Sequence, residues 1–296
     1  MKKSLPILIS IFISTSCLAQ DFGKKFAELF DNKDTAAIEP LLSQWATAKS
    51  TDPELFIAYF NYYVYKSKKE IISIEKLQKG EESIILTDTG RGKPVAFLNS
   101  SINFDSEILQ RGFNYIDQGI ALNPTRLDMR FGKIYMLGKA ENYKEFTKTL
   151  IETLEYGDKI DNAWLWKEGK SLKKEKDFLL NNIQDYINTL YETEDDDLLP
   201  YMREISESVL KYYPNHVESL SNIAITYLLV GENHKALPFL LKAETINGKD
   251  VIVLNNIAET YKRKGDKEKA KIYFEKIIKY GNKDDAEDAK EKIKKL

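Results

Sequence analysis

Residues 220–236 read LSNIAITYLLVGENHKA, and residues 254–270 read LNNIAETYKRKGDKEKA, the same frame 34 residues further on. Leu220, Asn222, Ile223, Ala224, Thr226, Tyr227, Gly231 and Ala236 recur as Leu254, Asn256, Ile257, Ala258, Thr260, Tyr261, Gly265 and Ala270. A period of this length is one helix–turn–helix unit, and such units stack into solenoids that bind other molecules along their surface. The repeat therefore points to a docking protein before any catalytic residue is considered.

Each copy reads as two helices. Leu254, Ile257, Ala258 and Tyr261 fall on one helical face, Gly265 stands where that helix ends, and Asp266 where the next is capped. Ala270, Phe274 and Ile277 then form the stripe of the second helix. Alanine suits Ala258 and Ala270 because paired helices come closest over a small side chain. The first copy runs likewise through Gly231 to Ala236, Leu240 and Ala243, with Pro238 expected in the first turn or so of its helix.

In period, and in the ordered set large–large–small–aromatic, Gly, Ala, aromatic, residues 217–283 resemble the tetratricopeptide repeat. The usual closing proline is present as Pro214 before the first copy, whereas Gly248 and Asn282 replace it later. Two unrelated hairpins of similar composition are the plainer alternative. The resemblance implies an all-α fold, a helical-hairpin solenoid, acting as an interaction module without a cofactor or catalytic residues. Its inner groove would be lined by the first helix of each unit. The corresponding positions here are Ser221, Asn222, Ile225 and Leu229, then Asn255, Asn256, Glu259, Lys262 and Arg263. Asn222 and Asn256 occupy positions where, by resemblance, asparagine hydrogen-bonds the backbone of an extended peptide, since an amide offers a donor and an acceptor. The alternative is that both satisfy neighbouring helices. The basic clamp that grips a C-terminal carboxylate is not written here, because Ser221 and Ile225 stand where its lysine and second asparagine belong. Lys262 and Arg263 either hold an acidic partner or form a solvated helix end.

Upstream, the helical rhythm continues with drifting spacing. Residues 24–48 read as two short helices, Pro53 opens an aromatic helix from Glu54 to Lys69, and Ile108–Leu122, Leu127–Leu137, Tyr143–Leu154, Ile183–Thr193 and Leu199–Tyr213 follow. Tyr59, Phe60, Tyr62, Tyr63 and Tyr65 surround most of the aromatic helix, which suits core packing or a binding face. Ser83–Thr87 and Val95–Leu98 are β-like runs around the turn chemistry of 88–92, a small β-hairpin insertion at about 83–98. A second irregular stretch, 157–174, holds Trp164 and Trp166, either aromatic anchors for a partner or side chains folded back on the solenoid. The tail from Asp284 to Leu296 reads as a charged capping helix.

Residues 1–19 have the pattern of an export signal: Lys2 and Lys3, then an apolar run from Leu5 to Ile13 too short to span a bilayer. Cys17 and Ala19 suit cleavage after Ala19, with a mature start at Gln20. The rival is a lipoprotein acylated on Cys17, although the leucine usual three residues before that cysteine is missing. Cys17 is the only cysteine, so cleavage after Ala19 leaves none for disulfides or thiolate chemistry. Loss of Lys2 and Lys3 takes the formal charge from −2 to −4, a balance that argues against nucleic acid as partner. The signal, with a Lys-, Ile- and Asn-rich composition, resembles proteins of Gram-negative Bacteroidota, which implies the periplasm or, for the lipoprotein, the outer membrane.

Catalytic patterns are weak. Gly169-Lys170-Ser171 lacks the earlier glycine of a phosphate loop, where Trp164 stands instead. His216 and His234 have no matching ligand at metal spacing, and Glu194–Asp197 lacks the pattern of a calcium loop. The chain on this reading comprises the signal at 1–19, a degenerate helical-repeat region at 20–178 carrying the hairpin, and a tetratricopeptide region at 179–296. The clear repeats are 217–250 and 251–284, followed by the capping helix. It is expected to be a non-catalytic scaffold of the cell envelope that binds a protein or peptide, with no metal, no nucleic acid and no transmembrane span in the mature chain. Two rivals are a Cys17-anchored accessory protein of an outer-membrane assembly, and an enzyme or ligand-binding protein with its site between the hairpin and the 157–174 loop.

Overall fold

The computed structural model describes residues 21–76 and 83–296 of the 296-residue chain. The export signal expected at 1–19, Cys17 and the cleavage site before Gln20 lie outside the described residues. The chain forms two compact units: the described residues through Lys68 with Asp105–Leu122, and Lys69–Phe104 with Asn123–Leu296.

The first unit holds α1 (Phe22–Asp31), α2 (Thr35–Ala48), α3 (Pro53–Ser67) and α4 (Ser106–Leu122). Pro53 fits the first turn of α3, where its missing N–H costs nothing, and Asp52 caps that end by accepting from Glu54 N. Phe22, Phe26, Ile38, Leu42, Trp45, Leu55 and Tyr62 make one core. The aromatic belt of α3 is consumed inside this unit. Tyr59 stacks on Tyr115 of α4 at 4.0 Å, Phe60 and Tyr62 are buried, and Tyr65 meets Phe30 edge-on at 5.6 Å. Gly112 allows α4 to approach, since a Cβ there would lie 3.2 Å from Tyr63 Cβ.

The second unit begins with a small sheet. Strands β1 (Lys68–Glu75), β2 (Ile84–Thr87) and β3 (Pro94–Phe104) lie in the order β1-β3-β2. The expected hairpin is β2–β3, antiparallel with Ile84 opposite Leu98 and a register shift between Leu86 and Thr87. Asp88 closes its turn, accepting from Gly90 N at 2.7 Å through its side chain. The insertion is larger than expected, because β1 takes residues that read as the end of the aromatic helix and adds a third strand.

The helices of this unit are α5 (Leu127–Lys139), α6 (Tyr143–Lys159), α7 (Glu175–Tyr191), α8 (Leu199–Tyr212), α9 (Val217–Leu229), α10 (Asn233–Ile246), α11 (Val251–Arg263), α12 (Lys267–Tyr280) and α13 (Lys283–Lys294). From α8 to α13 each helix packs on the next. Leu220, Ala224, Ala236, Leu240, Val253 and Ile257 share one core, and Leu254, Ala258, Ala270, Phe274, Ile277 and Ala289 of α13 share another. The four repeat alanines are wholly buried at the helix crossings. Pro238 is the sixth residue of α10 rather than a first-turn residue, so one helical hydrogen bond is forgone there.

One turn design closes the hairpins α1–α2, α5–α6, α9–α10 and α11–α12. The N–H groups of Asp34, Asn142, Glu232 and Asp266 each donate five residues back, to Leu29, Leu137, Tyr227 and Tyr261 O, at 2.8–2.9 Å. The residue before each takes a left-handed conformation: Lys33 at φ 57°, Glu141 at 55°, Gly231 at 77° and Gly265 at 79°. This bond pattern ends a helix by satisfying its last carbonyls. Asp34, Asn142 and Asp266 then cap the following helix through their side chains, whereas Glu232 makes no such bond and pairs with Lys235. The fold is all-α, a tetratricopeptide-like solenoid of helical hairpins with a small β insertion.

Candidate functional site

The residues singled out in the second copy are turned toward the rest of the fold. Asn255 Oδ1 accepts from Lys292 Nζ of α13 at 2.9 Å, and Glu259 lies 3.6 Å from both Lys292 and Lys262. Arg263 Nη1 donates to Leu228 O at 3.1 Å, which satisfies the end of α9. Asn256 differs: its Nδ2 is buried without a hydrogen-bond partner among the described residues.

In the first copy, Asn222 and Ser221 are only 6% and 7% exposed. Asn222 Nδ2 donates to Gln184 Oε1 at 2.8 Å, and Gln184 Nε2 donates back to Asn222 Oδ1 at 3.4 Å. Gln184 Nε2 also reaches Asn188 Oδ1 at 2.9 Å. The three amides form a ladder from α7 to α9.

That ladder borders a cavity of about 270 Å³, lined by Ile187, Tyr191 and Asn188 of α7, Met202 of α8, Ser221 and Ile225 of α9, and Ile252 of α11. A second cavity, of about 470 Å³, lies at the α7–α8 connection between Leu190, Leu199 and Leu229, with Glu192, Glu194, Asp195 and Asp196 along it. Tyr191 lines both. The first cavity is mainly apolar with a few convergent amides and the second is edged by acids, a concave surface of the kind that can receive a chain segment. It takes in Ser221, Asn222 and Ile225 of the expected groove on α9, adds α7, and meets α11 at Asp250 and Ile252 rather than at Asn255 and Asn256. Gln184, Asn188 and Tyr191 were not singled out, because α7 lacks the repeat's glycine and its spacing to Asn222 is 38 residues rather than 34.

The tryptophan loop is structural in character. Trp164 is 1% exposed and packs on Tyr156 with ring centroids 5.7 Å apart. Trp166 is half-buried against Phe131 and Phe178. The strongest buried charges stand beside this loop. Arg126 makes a two-pronged contact to Asp128 at 2.8 and 2.7 Å. The Arg130 guanidinium donates to Pro124 O at 3.3 and 3.2 Å and lies 4.7 Å from the Tyr156 ring, with burial lowering its pKa. Such cations tie backbone and rings together, and their charge is engaged rather than presented. Among the described residues no group of three His, Cys, Asp or Glu side chains could hold a metal ion, and no helix is long and apolar enough to cross a membrane.

The tetratricopeptide repeat family pattern matches residues 252–284. No curated protein matches the chain. Among solved structures it is similar to YrrB, described as a TPR protein with an unusual peptide-binding site, at 15% identity, over 84% of this chain and 97% of that one, with a TM-score of 0.41. It is also similar to PilW, a type IV pilus biogenesis factor, at 10% identity over 86% and 90%, with a TM-score of 0.36. PilF of Pseudomonas aeruginosa matches at 13% identity over 59% and 69%, also with a TM-score of 0.36. Residues 252–284, with the hairpin turn and alanine crossing described above, are therefore a tetratricopeptide repeat set in a stack of like-built hairpins.

Proposed function

We propose that this chain is a non-catalytic scaffold that holds a segment of a protein partner on the face formed by α7, α9 and the start of α11. The observation that carries this reading is the apolar cavity bordered by the Asn188–Gln184–Asn222 ladder. An extended segment or an amphipathic helix would place apolar side chains in the cavity, and the amides would take up its polar groups. Asn255, Glu259, Lys262 and Arg263 serve the stack itself on this reading, and Asn256 offers the one unsatisfied amide among them. The pattern of residues 1–19 supports export, with the scaffold working in the periplasm, and Cys17 anchorage to the outer membrane as the second reading.

Affinity capture from envelope extract with residues 20–296 as bait tests the groove. Asn188→Trp, an exposed position lining the cavity, should lose the partner that the unaltered chain retains. Equal recovery by both baits would refute the assignment. Mass spectrometry of the mature N-terminus separates the two anchoring readings: an unmodified or cyclised Gln20 start excludes lipidation at Cys17.

A further inference from the structure

The groove has a marked charge. The two cavities that share Tyr191 are lined by Glu192, Glu194, Asp195, Asp196, Glu218 and Asp250, and by no lysine or arginine. The chain as a whole is nearly neutral, with 44 basic and 46 acidic residues, so this one-sided lining is local. Three of the six carboxylates have duties inside the fold. Glu218 lies 3.4 Å from His216, Asp250 accepts from Ile252 and Val253 N, and Asp195 accepts from Asp197 N. Glu192, Glu194 and Asp196 are exposed and make no ion pair among the described residues.

At the α7–α8 cavity two helix C-termini add to the same sign, opposed by the N-terminus of α8 at Leu199, while Glu218 and Asp250 stand at the N-termini of α9 and α11. α7 ends at Tyr191 and α9 at Leu229, both on the acidic cavity, and neither carries a basic residue in its last turn. A helix C-terminus bears a partial negative charge. Arg263 meets part of it at Leu228 O, yet it lines neither cavity. Between the acids lie side chains that water covers poorly: Tyr191 is 49% exposed, Leu229 48% and Ile252 68%. Carboxylates without counter-ions beside an apolar concavity attract cations and disfavour anions.

We propose that the occupant of this groove is a cationic segment of a partner protein, with an apolar side chain in the α7–α9 cavity and flanking lysine or arginine against Glu192, Glu194 and Asp196. This rests on the groove reading above and fixes the chemistry of what fills it. It also accounts for the missing carboxylate clamp, since an acidic C-terminus would meet like charge here.

Two fluorescein-labelled nine-residue peptides of alternating leucine and lysine, or leucine and glutamate, test the inference by anisotropy against the mature chain. The lysine peptide should bind about tenfold or more tighter at low salt, and less tightly in 0.5 M NaCl. A triple variant, Glu192→Lys, Glu194→Lys and Asp196→Lys, confined to exposed positions, should remove or reverse that preference. Equal binding of both peptides, or indifference to the triple variant, overturns the cationic assignment while leaving the groove standing if Asn188→Trp still abolishes binding. Binding that survives Asn188→Trp overturns the groove itself. No binding of the lysine peptide at millimolar concentration also overturns the cationic assignment.

Discussion

Asn222 and Gln184, 38 residues apart on neighbouring helices, pair their amides in both directions, at 2.8 and 3.4 Å. The equivalent amide one repeat later, Asn256, leaves its Nδ2 buried and unpaired. Two residues that look identical in the sequence thus stand in opposite energetic positions.

Truncation should expose the difference. Asn222→Ala strands the Gln184 amide beside a cavity and is expected to cost about 1–3 kcal/mol. Asn256→Ala removes a donor that has no partner, and its effect is expected to be within about 0.5 kcal/mol of neutral. Urea denaturation of the two variants and of Gln184→Ala measures this. In a double-mutant cycle, Asn222→Ala and Gln184→Ala together should cost less than their sum. Strict additivity would mean that the amides do not act on one another.

The left-handed turn positions carry a second expectation. Lys33 and Glu141 hold side chains at φ 57° and 55°, where glycine stands in the two clear repeats. A Cβ there costs on the order of 1 kcal/mol, so Lys33→Gly and Glu141→Gly should each raise stability. Gly231→Ala and Gly265→Ala should lower it by a similar amount, and thermal melts of the four variants give the signs.

These turns also explain how far the sequence could be read. The clear repeats announced themselves through Gly231 and Gly265, and their alanine crossings followed from spacing alone. At Lys33 and Glu141 the chain makes the same turn with residues that carry no turn signal, so those hairpins read only as helices of drifting spacing. The third strand was missed because Lys68–Glu75 follows the aromatic helix without a breaker. The α7 side of the cavity was not legible for a related reason. Its α7 wall is four residues out of period, and the relation of Gln184 to Asn222 exists only in three dimensions.

Gly157 leaves little room for a side chain. An added Cβ would stand 3.2 Å from Asn162 Oδ1, Leu179 Cδ2 and Trp164 Cζ2 together, in the packing that folds the tryptophan loop back. Gly157→Ala is therefore expected to destabilise by about 1–3 kcal/mol. The perturbation should be visible as a red shift of tryptophan emission if Trp164 is displaced. An unshifted spectrum with full stability would show that the loop yields freely.

His216 gives a pH dependence with a defined direction. Its Nδ1 accepts from Ser219 N at 3.3 Å, which caps α9 and requires that nitrogen to be unprotonated. Burial lowers its pKa below the ordinary 6.5, and the neighbouring Glu218 opposes that shift without reversing it. Because the folded state binds the proton less readily than the unfolded chain, this contribution is complete above about pH 6.5. It is lost as pH falls from there through the depressed folded value. His216→Asn retains a capping oxygen but no titrating group. Stability measured at pH 7.5 and 5.5 should fall more for the unaltered chain than for this variant. An identical pH response in both would place the titration elsewhere and refute the role of His216.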